Sequence, residues 1–301
     1  MTIIELRAKI AGGCLSLCGK LPLGWLYGIG GAVSWAMKRI NYRKGVIYTN
    51  IARAFPEKDY RWVEDVADRY YARIGELAAE AIWFGGCAGN GNKLRRQKVY
   101  EYVNPEVLLE IQEKTGVMAM KSHCGNWELF GGIYSYVDSE DFKARLPMDR
   151  VFVAYRPMRN KVSDIVFYEN RRAPLPDYAG QISDSRLMRH AVSNRTQRPV
   201  YILNADQYPY QAGHYVGDFL NQPTWGMLGG FALAVKLGFA VLYMREERAG
   251  RGHYRLTFEI ITENAKGQDP EELMRRYYAL LEEDIRKDPV NWLWSHKRWR
   301  K

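Results

Sequence analysis

The sequence predicts an α/β protein with a largely parallel sheet flanked by helices, preceded by an N-terminal membrane-associated helical segment. Three observations carry that reading. Short apolar runs alternate with helical segments between Gly116 and Lys287, the pattern of strand–helix–strand crossovers. A long, nearly uncharged stretch precedes them. Polar groups capable of chemistry follow the apolar runs, and in an open α/β sheet ligands bind beyond the carboxyl ends of the strands.

Taken in order, Ile10 to Gly19 and Leu21 to Met37 carry no charge, and Lys20 and Pro22 separate them. A spanning helix needs about 20 apolar residues, so the second run is slightly short. Gly28, Gly30 and Gly31 suit a membrane helix better than an isolated soluble one. Lys38, Arg39, Arg43 and Lys44 follow at once, and the positive-inside rule then keeps the rest of the chain cytoplasmic. The competing reading is a buried hairpin of two apolar helices. No small-residue cleavage site follows a basic start, so no removed signal peptide is expected. Residues 1–40 are read as an anchor and 41–301 as one catalytic domain.

Arg61 to Phe84 reads as an amphipathic helix, with Trp62, Val66, Tyr70, Ile74, Leu77 and Ala81 at three- and four-residue steps and Gly85-Gly86 as its stop. Buried strands are expected at Gly116–Ser122, Arg150–Arg156, Pro199–Ala205 and Phe239–Arg245, with a more alternating one at His253–Thr262. Helices are expected near Trp127–Val137, Ser163–Arg171, Ser183–Asn194, Trp225–Leu237 and Pro270–Lys287.

Composition narrows the class. Apolar residues at 47% and charged residues at 26% of 301 are those of a folded globular chain, which sets disorder aside. The net charge of +10 attracts polyanions: nucleic acid, an anionic membrane or an acidic carrier protein. Cys14, Cys18, Cys87 and Cys124 form neither a CxxC pair nor a cluster with histidine, so no disulfide framework, metal site or cofactor site is expected. The default is a reducing, cytoplasm-facing location.

The chemistry gathers after the strands. His123-Cys124-Gly125-Asn126-Trp127-Glu128 follows the first, Arg156-Pro157 with Asn160 the second, and Asp206-Gln207 the third. On one continuous helix His123 and Glu128 would lie about 140° apart. With His123 on the loop and Glu128 in the first helical turn, they can approach. Gly125 lets the loop bend and Asn126 serves as N-cap. A carboxylate on Nδ1 would fix the imidazole tautomer and leave Nε2 as a base. The plainer alternative makes His123 a helix cap and Glu128 a surface residue near the helix's positive end. Cys124 as a nucleophile is disfavoured, since sequence neighbours usually point apart. Arg156 reads as a bidentate anion binder or as an ion-pair partner of Asp206; Asp206 as a partner of Arg156, a substrate contact or a cap. The C-terminal run from Trp292 to Lys301 suits an anionic lipid interface or a packed terminal segment.

Several of these segments together resemble one family, the late acyltransferases of lipid A biosynthesis within the lysophospholipid acyltransferase group. The resemblance rests on Tyr42-Arg43-Lys44, on Asn50 to Glu57, on His123 to Leu129, on Tyr155-Arg156-Pro157 with Asn160, on Ala205-Asp206-Gln207 and on Trp292 to Trp299, all in order. It implies a protein of the bacterial inner membrane whose catalytic domain faces the cytoplasm. Such a protein takes an acyl chain from acyl carrier protein or coenzyme A and esterifies a hydroxyl of an anionic lipid A precursor, without nucleic acid, metal or prosthetic group. It assigns His123 as catalytic base, Glu128 as its acidic partner, and Arg156 and Asp206, with Asn126 beside them, to substrate. The stretches Ala173–Tyr178 and Gln181–Ser183 depart from the usual family pattern and are expected on the lipid-binding side. In the mechanism so implied, the oxyanion is met by backbone amides around Gly125 or by a basic side chain. Two other classes compete: a non-catalytic basic lipid-binding protein, and a hydrolase using water in place of the lipid hydroxyl.

Overall fold

The computed structural model describes residues 1–137, 139–209 and 213–299. Two 17-residue helices, α1 (Ile3–Gly19) and α2 (Leu23–Arg39), lead into α3 (Lys44–Ala54) and the long α4 (Tyr60–Gly85). Thr2 caps α1 in a reciprocal box with Glu5, and Asp59 caps α4 at the Trp62 amide. After α5 (Gly91–Arg96) come β1 (Tyr100–Tyr102), α6 (Pro105–Gln112), β2 (Val117–Lys121), a 3₁₀ helix (Trp127–Ser135), α7 (Glu140–Arg145) and β3 (Val151–Tyr155). The chain continues through α8 (Lys161–Arg172), β4 (Gln181–Ser183), α9 (Asp184–Ser193), β5 (Val200–Asn204), the hairpin β6 (His214–Phe219) and β7 (Gln222–Gly226), and α10 (Gly229–Leu237). It ends with β8 (Ala240–Gly250), β9 (His253–Thr262) and α11 (Pro270–Lys287).

Seven strands form one sheet in the order β1-β9-β8-β2-β5-β3-β4, parallel at every pairing except β8–β9. The expected α/β architecture with a mostly parallel sheet is therefore present. β2 lies at its centre with all five residues buried. Its alternate side chains serve two cores: Val117 and Ala119 join the layer with Phe130, Leu108 and Trp83, while Met118 and Met120 join the layer with α10 and α11.

Periodicity did not reveal α3, α5, α6, α7 or the β6–β7 hairpin, nor the two shortest strands of the large sheet. β1 and β4 have three residues each, too few to show a period. Trp225, expected in a helix, sits in β7, and the helix starts only at Gly229. The expected helix at Trp127–Val137 is a 3₁₀ helix ending at Ser135. At Gly131 in its middle a Cβ would overlap the Arg171 carbonyl, so α8 approaches the bare backbone.

Among the described residues no helix is long and apolar enough to cross a membrane. A 17-residue helix rises about 25 Å, against a hydrocarbon core of about 30 Å. The α1–α2 pair is instead patterned inside out. Gly19 and Gly30 face inward: a Cβ on Gly30 would overlap the Gly75 backbone of α4, and one on Gly19 the carbonyl of Ile82. Large apolar residues face outward, with Trp25 72% and Trp35 62% exposed, beside Ile10, Leu17, Ile29 and Val33. The alternative of a buried core hairpin does not hold for this outer face.

The C-terminal segment is packed rather than offered to a lipid surface. Trp292, Trp294 and Arg298 are buried; Arg300 and Lys301 lie outside the described residues. Asn50 donates to the carbonyls of Trp294 and His296, and Arg43 to that of Ser295. The first and last of the recurring segments thus meet in space and tie the chain's beginning to its end.

Candidate active site

β2 and β5 pair in parallel with Lys121 opposite Asn204. His123 and Asp206 each lie two residues beyond that pair, so the register alone delivers them to the same place above the sheet. The Ala205 amide donating to the Lys121 carbonyl at 2.9 Å carries the ladder one step further. The Asp206 carboxylate then receives three donors: His123 Nδ1 at 2.6 Å, the His123 backbone amide at 2.9 Å and the Trp292 indole Nε1 at 2.8 Å.

Burial alone would push the Asp206 carboxyl up, but the His123 ring and these donors together hold it well below the usual carboxylate range. An ionised Asp206 keeps the proton on Nδ1 and leaves a lone pair on Nε2. Gln207 meets that lone pair, its side-chain nitrogen 3.1 Å from Nε2, with the N–H donating. The ring packs edge-on against Trp127 at a centroid distance of 4.9 Å, which limits its rotation.

The carboxylate on Nδ1 is thus that of Asp206, not of Glu128. Glu128 forms a two-bond pair with Arg171, at 2.8 and 2.9 Å, that ties the first turn of the 3₁₀ helix to α8. Both side chains line the same cavity as His123. Glu128→Gln removes the charge from this mostly buried pair and is expected to lower stability by about 1–3 kcal/mol, measured by urea unfolding.

Asn126 caps the 3₁₀ helix, accepting from the Glu128 amide at 3.3 Å, and donates to Leu77 and Glu80 of α4. It is 1% exposed and stands outside the residues that line the cavity. Arg156 pairs with Asp184 at 2.6 Å rather than with Asp206, and lines the cavity with its guanidinium half exposed. Burial pushes the Cys124 thiol up to about 12, so it is no nucleophile near neutral pH.

The loop that carries His123 is held from beneath by a buried ion pair. Lys121 binds Glu246 and also reaches the carbonyls of Ser122 at 3.2 Å and Cys124 at 3.4 Å, on either side of His123. Glu246 accepts from Tyr100 and, at 2.8 Å, from the Asn126 amide. Gly125 adopts φ +65, and a Cβ there would overlap the Glu246 carboxylate, so only glycine fits this bend. Sequence reasoning missed Lys121 and Glu246: Lys121 lies within an expected buried strand, Glu246 one residue beyond another, and neither belongs to the polar clusters that follow the strands.

His123 Nε2 opens onto a cavity of about 730 Å³. Its walls are mainly apolar, with Met120, Phe130, Leu203, Met227, Phe231 and Leu233 among them, while Arg156, Arg171 and Lys236 supply positive charge. Of the stretches departing from the family pattern, Gln181 lines this cavity, while Pro174 to Tyr178 line a separate one of about 360 Å³. The main cavity can bury an acyl chain while holding its reactive end near an imidazole base.

Residues 7–301 match the family described as bacterial lipid A biosynthesis acyltransferase, and the chain belongs to it. No individually curated protein is similar enough to count as a match.

Proposed function

From that family membership we propose that the protein transfers a fatty acyl chain from the thioester of acyl carrier protein or coenzyme A to a hydroxyl of a lipid A precursor, with His123 as general base. The observation that carries this reading is the His123 ring, fixed at Nδ1 by Asp206 and lining a mainly apolar cavity that also holds charged side chains. Nε2 takes the hydroxyl proton as the oxygen attacks the thioester carbon. The tetrahedral intermediate collapses, the C–S bond breaks, and the imidazolium returns the proton to the leaving sulfur. The products are an ester and a free thiol. Asp206, ionised and buried, stabilises the imidazolium in between.

Glu128 has a different part in this reading from the acidic partner that the family resemblance implied. Its carboxylate, fixed by Arg171, stands in the cavity wall where it can orient a substrate hydroxyl. Lys236 and the half-exposed Arg156 suit the phosphates of an anionic acceptor or of the donor, although Arg156 also pairs with Asp184.

The protein is further proposed to work at the cytoplasmic face of the bacterial inner membrane, with α1 and α2 lying in one leaflet. Inward Gly19 and Gly30, outward Trp25, Ile29, Val33 and Trp35, and the basic run Lys38, Arg39, Arg43 and Lys44 support in-plane embedding at an anionic surface. The protein is expected to float with vesicles of phosphatidylethanolamine and phosphatidylglycerol. The double variant Ile29→Glu with Val33→Glu is expected to lose at least ten-fold of that binding. Unchanged flotation of the variant would reject this surface as the contact.

A further inference from the structure

We propose that Gln207 is a catalytic residue, whose side-chain amide donates to the oxyanion of the tetrahedral intermediate; this rests on His123 acting as the base. Acyl transfer places a negative oxygen close to the attacking atom, and preorganised donors there supply much of the rate enhancement. The obvious source, the backbone amides of the His123 loop, is already spent. The His123 N–H donates to Asp206 and that of Cys124 to the Ser122 hydroxyl at 3.2 Å. The Gly125 N–H goes to Asn291, and the Asn126 N–H to Glu246. The expectation that amides around Gly125 meet the oxyanion therefore fails on geometry: each already has an acceptor inside the protein.

Among the side-chain amides that line the cavity, which include Asn204 and Gln181, Gln207 is the one placed against the reacting nitrogen. Its nitrogen lies 3.1 Å from His123 Nε2 and its side chain lines the acyl cavity. The orientation follows from the proton inventory. With Asp206 holding the Nδ1 proton, Nε2 is an acceptor, so the carboxamide must turn its NH₂ toward the ring.

A substrate hydroxyl takes the one lone pair of Nε2 and so displaces the Gln207 N–H, which is left beside the reacting carbon. Its new acceptor is the thioester carbonyl oxygen, which becomes the oxyanion as the proton passes to Nε2. The interaction strengthens only as the transition state forms, so it raises the rate without tightening ground-state binding.

The test is steady-state kinetics of full-length Gln207→Ala and Gln207→Glu, with His123→Ala as companion and an acyl thioester as varied substrate. Circular dichroism checks the fold; Gln207→Glu keeps the size of the side chain if the alanine variant unfolds. Both are expected to lose about 10²–10³-fold in kcat, with KM for the thioester within about three-fold of wild type. The Glu variant should also move the acidic limb of kcat/KM toward higher pH, because a carboxylate beside the imidazole favours its protonated form. A kcat within three-fold of wild type, or a higher one, would show that the amide only caps the base in the resting enzyme and would overturn the proposal. A loss confined to KM would overturn it too, by making Gln207 a binding contact. Inactive His123→Ala with fully active Gln207→Ala sinks this inference alone, whereas active His123→Ala sinks the base on which it rests.

Discussion

Asp206→Asn is expected to cut kcat by about 10³–10⁴-fold while leaving the cavity and its substrate affinity nearly unchanged. The argument is a count of donors. Oδ2 of Asp206 accepts two N–H groups, from the His123 backbone and the Trp292 indole, and Oδ1 accepts one, from Nδ1. An asparagine has one oxygen, and placing it at the Oδ2 position satisfies two donors instead of one. Its NH₂ then faces Nδ1, which must become an acceptor, so the ring proton moves to Nε2 and the base is gone. A wrong tautomer of this kind costs about 10⁴-fold in serine proteases.

The same substitution should carry a stability signature with a definite pH dependence. The Asp206 carboxyl is held below its unfolded value of about 3.9. Its stabilisation is therefore complete above that pH and is lost as the pH falls toward the depressed folded value. Urea unfolding of wild type and Asp206→Asn should show a gap at pH 7 that narrows below about pH 4. A gap that stays constant through that window would mean the native carboxylate is not selectively stabilised.

His123→Ala is expected to lower acyl transfer by about 10³-fold or more, since it removes both the proton acceptor and the group that returns the proton to the leaving thiol. The ring is buried and bonds the ionised Asp206, so the variant is expected to melt below wild type, and circular dichroism checks that it folds. Retention of more than a tenth of the wild-type rate in that folded variant would remove His123 from the chemistry.

Much of this was readable in the residues before any coordinates. Strand–helix alternation predicted the parallel sheet; all five expected strands form, four within one residue of their expected bounds and β8 running on to Gly250, while the β6–β7 hairpin was not expected. The strand-end rule gathered His123, Asp206 and Gln207 at one edge. What the residues could not supply was strand order. Only the pairing of β2 with β5, in register at Lys121 and Asn204, puts Asp206 rather than the nearby Glu128 on His123 Nδ1. Sequence proximity favoured Glu128, but the turn into the 3₁₀ helix carries it to Arg171. Lys121 and Glu246 stayed hidden for a similar reason: a charged residue in a strand declares its burial only when its counter-charge, 125 positions away, is seen beside it. The C-terminal Trp292 to Trp299 segment had two readings, and the packing of Trp292 on Asp206 and Trp294 in the core decided between them.

The most direct test of the account is product analysis with purified full-length protein. It is given acyl carrier protein or coenzyme A thioester as donor and a lipid A precursor in mixed micelles, and the lipids are read by mass spectrometry. The account predicts a precursor heavier by one fatty acid less one water, released thiol in equal amount, and neither product with His123→Ala. An unmodified precursor accompanied by free fatty acid, or an acylated precursor formed equally well by the His123→Ala protein, would contradict it.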